Sequence, residues 1–275
     1  MKQFHGKAIY NPSGKAGEYS QWACNFYVGC SNDCEYCYCK KGILAGVMGQ
    51  DKPQLKKCFR DEAHALMAFE RELKQNLESL RANGLFFTFT SDPFLPETTL
   101  LTQKAVRICL IHDVPATLLT KRTDWGIDDF IKEPEINGTI WNYEPKKHLF
   151  VFGFTLTGHD ELEPNASPNA ERVAAMRRLH NAGFKTFASV EPIIDITSSM
   201  NMIAAAADCC DLFKVGLQSG KKYERCELLA AMEYLVTRFP DCKFYFKDSF
   251  VNQARIDRAA LPGNCVACDY NMFNH

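Results

Sequence analysis

From about residue 22 the chain alternates short β-rich runs with longer amphipathic stretches, and this alternation limits the fold more than any other feature. The β-like runs cover residues 24–29, 85–90, 115–120, 149–156, 184–190, 211–216 and 243–247. Helical periodicity fills the gaps at 59–82, 98–112, 170–182, 198–209 and 223–239; the first carries Leu66, Phe69, Leu73, Leu77 and Leu80 on one face. Such alternation predicts βα units and a parallel sheet whose strands are buried on both faces. Six or seven units suit an α/β barrel, complete or partial, better than a small doubly wound sheet. Asn83-Gly84 and Asn181-Ala182-Gly183 read as helix stops, and Gly216 with Gly220 as a loop after the sixth strand. The expected division is an irregular lead-in over 1–21, the barrel over 22–247 and a loosely structured cap over 248–275.

Composition removes several classes of function. The 275 residues are 46% hydrophobic and 24% charged with a formal charge of −1, which excludes a disordered tail, a fibre or a basic nucleic-acid coat. The amino terminus lacks the apolar stretch of a signal peptide. The longest apolar runs, 149–154 and 202–207, fall far short of the roughly 20 residues a bilayer needs. A cytoplasmic protein with no membrane partner is expected.

Cysteine is the unusual residue. There are 13, and Cys24, Cys30, Cys34, Cys37 and Cys39 fall within 16 positions. In a reducing compartment clustered thiols bind metal or do chemistry rather than pair as disulfides. Cys30, Cys34 and Cys37 form a C-x3-C-x2-C pattern on the loop after the first strand, where parallel barrels carry their chemistry. Three thiolates suit three corners of a four-iron cluster. A closed tetrahedral zinc, completed by Cys39 or a His, is the competing filling, and it would make the chain a zinc-stabilised module that binds nucleic acid or protein. Cys265-Val266-Ala267-Cys268 is a half-site for an auxiliary metal, with Cys209, Cys210, Cys226 or Cys242 as further thiols. Cys58 and Cys109 read as small core fillers.

The string Cys30-Ser31-Asn32-Asp33-Cys34-Glu35-Tyr36-Cys37-Tyr38 resembles the cluster loop of radical S-adenosylmethionine (SAM) enzymes, with Tyr36 as the aromatic before the third Cys. Lys7-Ala8-Ile9-Tyr10 together with Asn25-Phe26-Tyr27-Val28-Gly29-Cys30 resembles the branch around spore photoproduct lyase, and the similarity runs through roughly residues 7–250. The resemblance implies a partial (β/α)6 barrel of the radical SAM type with short extensions at both ends. It also implies a [4Fe–4S] cluster on Cys30, Cys34 and Cys37, with SAM chelating the open iron. One electron, from a donor such as flavodoxin or ferredoxin, then cleaves SAM to methionine and a 5′-deoxyadenosyl radical that abstracts hydrogen from substrate.

Further motifs carry the resemblance onto particular residues. Thr90-Ser91-Asp92-Pro93-Phe94-Leu95-Pro96-Glu97 is similar to the branch's T-D-P-Y-x-P-x-E segment, which places Ser91 and Asp92 at the SAM ammonium. Thr120-Lys121 matches a T-K pair, with Lys121 near the SAM carboxylate, and Thr155 stands where relatives use a hydroxyl toward SAM. Glu163-Pro164 followed by Arg172 is similar to a family E-P-x6-R pattern; Arg172 points at SAM or at Glu163, and Ser167 or Asn169 caps the helix that follows. Ser189-Val190-Glu191-Pro192 and the 211–220 segment resemble a set of phage and plasmid radical SAM-like proteins. Glu191 and Lys214 at adjacent strand ends then form an ion pair or bind cofactor or substrate.

One departure is decisive. Photoproduct lyases return hydrogen from a cysteine just past the second strand, whereas residues 85–99 contain none. The resemblance therefore implies the chemistry but not thymine-dimer repair. The substrate is left open, with nucleic acid or a nucleotide as one candidate.

Overall fold

The computed structural model describes residues 3–43, 45–132, 135–136, 139–140 and 144–274. Eight strands form one sheet in strict chain order: β1 (Ile9–Tyr10), β2 (Ala23–Cys24), β3 (Leu85–Phe87), β4 (Ala116–Thr120), β5 (Phe150–Thr155), β6 (Lys185–Ile193), β7 (Leu212–Leu217) and β8 (Lys243–Phe246). β1 runs antiparallel to β2, and every other neighbouring pair is parallel. The connections carry α1 (Glu62–Gln75), α2 (Thr99–Ile111), α3 (Asn169–Asn181), α4 (Ile196–Ala206) and α5 (Arg225–Arg238), and α6 (Asp248–Ala254) follows β8. The result is a mixed α/β fold around a parallel sheet.

The helices start and stop where their ends can be satisfied. Asp61 accepts from His64 N at 2.7 Å to open α1, and Asp195 accepts from Ser198 N at 2.8 Å to open α4. Gly84 and Gly183, at φ +73° and +87°, turn the chain out of helix and into β3 and β6. The pattern over 59–82 is two helices rather than one. Asn76, at φ −121° and ψ 21°, separates α1 from Leu77–Asn83, and its side-chain amide donates to Glu72 O.

The two faces of the sheet bury different cores. Between sheet and helices lie Phe87, Phe150, Phe152, Phe154, Phe213 and Phe244 with the apolar helix faces. The opposite face gathers Phe86, Val151, Phe187, Leu212 and Tyr245, covered by Tyr19, Tyr270 and Phe273 from the terminal segments. Gly153 makes room for that inner layer, since a Cβ there would sit 2.1 Å from the Phe187 ring.

Three expectations change. The lead-in is not irregular throughout, because the buried Glu72 carboxylate accepts from the backbone N–H groups of Lys7, Ala8 and Ile9 at 2.8–2.9 Å and holds β1 against the sheet. Residues 248–275 begin with α6 and return to the sheet at the Phe244–Cys265 bridge. Gly216 lies inside β7, so Gly220 alone of the pair marks the following loop. In addition, Cys58 is exposed rather than a core filler, whereas Cys109 is buried. Among the described residues no helix is long and apolar enough to cross a membrane.

Candidate active site

The carboxyl ends of all seven parallel strands open into one cavity of about 340 Å³. Cys30 from the loop after β2, Thr88 after β3, Thr120 on β4, Thr155 on β5, Ser189 on β6 and Leu217 on β7 reach it, as does Lys247 after β8. This is the face on which parallel α/β folds assemble sites, and the volume is that of a small-molecule pocket.

The cysteine loop forms one wall. Cys30, Cys34 and Cys37 all line the cavity, as do Cys39 and Tyr36. The loop is pinned at several points: Cys30 N donates to Gln50 O at 2.9 Å, Glu35 N to Leu162 O at 3.0 Å, and Asn32 Nδ2 to Asp92 Oδ2 at 2.9 Å. Tyr38 donates to the Phe89 carbonyl, and Lys40 pairs with Asp33. Burial pushes the Cys30 thiol up to about 12, and burial also raises Cys34. A hydrogen bond from Cys39 lowers Cys37 to about 6. Of these three, Cys37 is therefore the thiol most ready to ionise.

Asp92 is spent on structure. Its carboxylate accepts from Phe94 N at 2.9 Å, Thr120 Oγ1 at 2.6 Å, Asn32 Nδ2 at 2.9 Å and Lys121 N at 2.8 Å, and its carbonyl accepts from Thr98 Oγ1 at 2.7 Å. It ties the cysteine loop to β4 and leaves no free acceptor of the kind expected for a SAM ammonium. The neighbouring Ser91 hydroxyl is buried without a hydrogen-bond partner and lines the cavity. The Thr155 hydroxyl also lines the cavity and bonds to nothing among the described residues.

Behind this wall lies a charged layer. Arg172 is wholly buried and does not reach the cavity; its Nη2 lies 2.5 Å from Glu163 Oε2, and it donates to Ser167 O at 2.6 Å and Thr155 O at 2.8 Å. Tyr36 donates to Glu163, and Lys121 sits over the Tyr36 ring at 5.3 Å with its Nζ 3.9 Å from Glu163 Oε1. Of the two directions open to Arg172, the structure takes Glu163. Neither Ser167 nor Asn169 caps α3: Ser167 Oγ accepts from Thr123 N, Asn169 is the first helical residue, and Asp160 accepts from its N–H at 2.7 Å.

The far wall carries a second polar group that the sequence pairs differently. Glu191 accepts from Lys247 Nζ at 2.6 Å and from Tyr19 Oη at 2.9 Å, not from Lys214. Lys214 is aligned with Ser189 and Tyr245 instead, and bonds to the carbonyls of Tyr19 and Glu18. Gly216 explains the partnership, because a Cβ there would lie 2.9 Å from Glu191 and 3.0 Å from Lys247. Tyr19, in the lead-in, carries no sequence signal for this position.

No three His, Cys, Asp or Glu side chains among the described residues converge as one metal ion would require. The same holds for Cys265 and Cys268 with Cys209, Cys210, Cys226 and Cys242. Cys30, Cys34 and Cys37 line the cavity wall without converging on a single point.

No protein-family model matches the chain, and no curated protein matches it by sequence. Solved structures do. SuiB of Streptococcus suis superposes with a TM-score of 0.52 at 13% identity, over 86% of this chain and 51% of SuiB. The two share a fold. SuiB bound to S-adenosylmethionine gives 0.52 at 12% identity over 86% and 49%. This chain thus spans about half the length of SuiB.

Proposed function

We propose that the protein is a radical SAM enzyme. The observation that carries the reading is that Cys30, Cys34 and Cys37 share one cavity with the carboxyl ends of all seven parallel strands. The fold shared with SuiB, which has been solved with SAM bound, supports it. In this reading β2 to β7 correspond to a partial (β/α)6 barrel extended by β8, and the chain stands near the photoproduct-lyase-like branch.

Cys30, Cys34 and Cys37 hold a [4Fe–4S] cluster, with Cys37 already biased toward the thiolate that a metal requires. When bound, the cluster and SAM supply reductive cleavage of a carbon–sulfur bond and hydrogen abstraction. The protein's own residues bind, orient and exclude water. Lys121 offers a charge-assisted bond to the SAM carboxylate. The unpartnered hydroxyls of Ser91 and Thr155 face the same space, and Tyr36 supplies an aromatic wall. Asp92 and Arg172 act from behind as positioning residues. Phe89, Leu119, Leu217 and Met48 complete an apolar lining that keeps water from a reactive carbon centre. Glu191, Lys247 and Tyr19 stand on the opposite wall, where the substrate meets the protein.

The reaction needs an outside electron, for which a flavodoxin or ferredoxin in the cytoplasm is the proposed donor; a nucleotide or nucleic acid is one substrate class. Anaerobic incubation with SAM and dithionite tests the reading. Wild type is expected to release 5′-deoxyadenosine and methionine, and Cys30→Ala none. Equal product from both, or none from a protein loaded with iron and sulfide, would overturn it.

A further inference from the structure

Lys214 lies on the inner face of β7 with only 8% of its surface exposed, and among the described residues no carboxylate stands within salt-bridge distance of its ammonium. Its Nζ donates to Tyr19 O at 3.0 Å and to Glu18 O at 3.3 Å, and lies 5.0 and 5.8 Å from the ring centres of Tyr19 and Tyr245. Two carbonyls leave one N–H uncommitted. A buried ammonium with no anion is costly unless something satisfies it.

Lys214 also lines a second cavity, of about 70 Å³, at the amino ends of the strands and away from the cysteine loop. At about 30 Å³ per water that space holds about two waters, or one small oxyanion in their place. Phe86 and Phe187 form its apolar side, and Tyr270 and Phe273 close it from the carboxyl-terminal segment. Thr117 and Gln21 line it too, and their side chains make no hydrogen bond among the described residues. The buried Lys214 and the half-buried Thr117 thus line the same small space, with the exposed Gln21 at its edge.

We propose that this cavity binds a small oxyanion, a phosphate or a carboxylate, on Lys214 Nζ with Thr117 and Gln21 as supporting donors. The charged and titratable groups around Lys214 are Lys247, Glu18, Glu191, Tyr19 and Tyr245 on its upper side, and Cys268 and Asp269 at the cavity rim. Asp269 is exposed, so water and salt screen its repulsion. Burial and the neighbouring Lys247 hold the Lys214 ammonium down to about 7. An anion in the cavity favours the charged form, so binding above pH 7 takes up a proton.

The test uses the full chain at pH 8, with sodium phosphate or sodium acetate compared against sodium chloride at equal ionic strength. Thermal unfolding is expected to shift upward by several degrees with one or both oxyanions and not with chloride. Calorimetry of acetate binding in buffers of different ionisation enthalpy is expected to show about one proton taken up per anion. A response to phosphate alone identifies a phosphate source, and a response to acetate alone a carboxylate source. Lys214→Met is expected to abolish shift and proton uptake, and Thr117→Val to weaken binding several-fold. No oxyanion response, an equal response to chloride, or an undiminished response in Lys214→Met overturns the proposal. Should Lys214→Met fail to fold, Thr117→Val and the proton count in wild type decide it, and an unchanged affinity with no proton uptake refutes it.

Discussion

Arg172 and Glu163 meet at 2.5 Å with both side chains fully excluded from solvent. The pair bridges two walls of the site, because Glu163 also accepts from Tyr36 on the cysteine loop while Arg172 holds the Thr155 carbonyl on β5. Removing one partner of a buried pair strands the other charge, at a cost of about 3–5 kcal/mol. Arg172→Met is therefore expected to lower the denaturation midpoint strongly, and Glu163→Gln to do so less because the amide still accepts from Tyr36. Denaturant unfolding of both variants checks this; near-neutral midpoints for both would show that the pair does not hold the walls together.

Asp92 makes a separate prediction. Four donors face its carboxylate, so an amide in its place must turn its NH2 toward at least one of them. Asp92→Asn is expected to cost about 1–3 kcal/mol for each donor left unsatisfied and to loosen the cysteine loop through Asn32. Amide hydrogen exchange across residues 30–41 should quicken in the variant while α5 keeps its protection.

Lys214 gives the protein a pH-dependent stability. In the anion-free native state its ammonium titrates near 7, against about 10.4 in an unfolded chain. Between those values the unfolded chain binds the extra proton, so stability rises with pH through that window and is lost as pH falls toward 7. One proton limits the slope to about 1.4 kcal/mol per pH unit. Unfolding free energies from pH 7 to 10 should climb in wild type and flatten in Lys214→Met; parallel slopes would remove Lys214 as the cause.

The sequence exposes what depends on local pattern and conceals what depends on register. Buried parallel strands are apolar on both faces, which is why 115–120, 149–156 and 243–247 stand out and fold as β4, β5 and β8 within a residue or two. The cysteine wall is legible for the same reason, since Cys30, Cys34 and Cys37 need only one loop to come together. Glu191 and Lys214 look like partners because both are charged residues near adjacent strand ends. The register places Lys214 level with Ser189, while Glu191 faces the gap at Gly216 through which Lys247 reaches it. Tyr19 reaches the far wall from the segment that follows β1, and the Glu72 carboxylate anchors that strand from sixty-odd residues beyond Lys7, Ala8 and Ile9. Glu72 itself had a signal, a carboxylate between Phe69 and Leu73 on an apolar helix face.

Iron and acid-labile sulfide in protein isolated without oxygen test the central claim most directly. Wild type is expected to be brown with about four of each per chain, and Cys30→Ala, Cys34→Ala and Cys37→Ala each to lose most of both. A colourless wild type carrying one zinc and no sulfide would contradict the account.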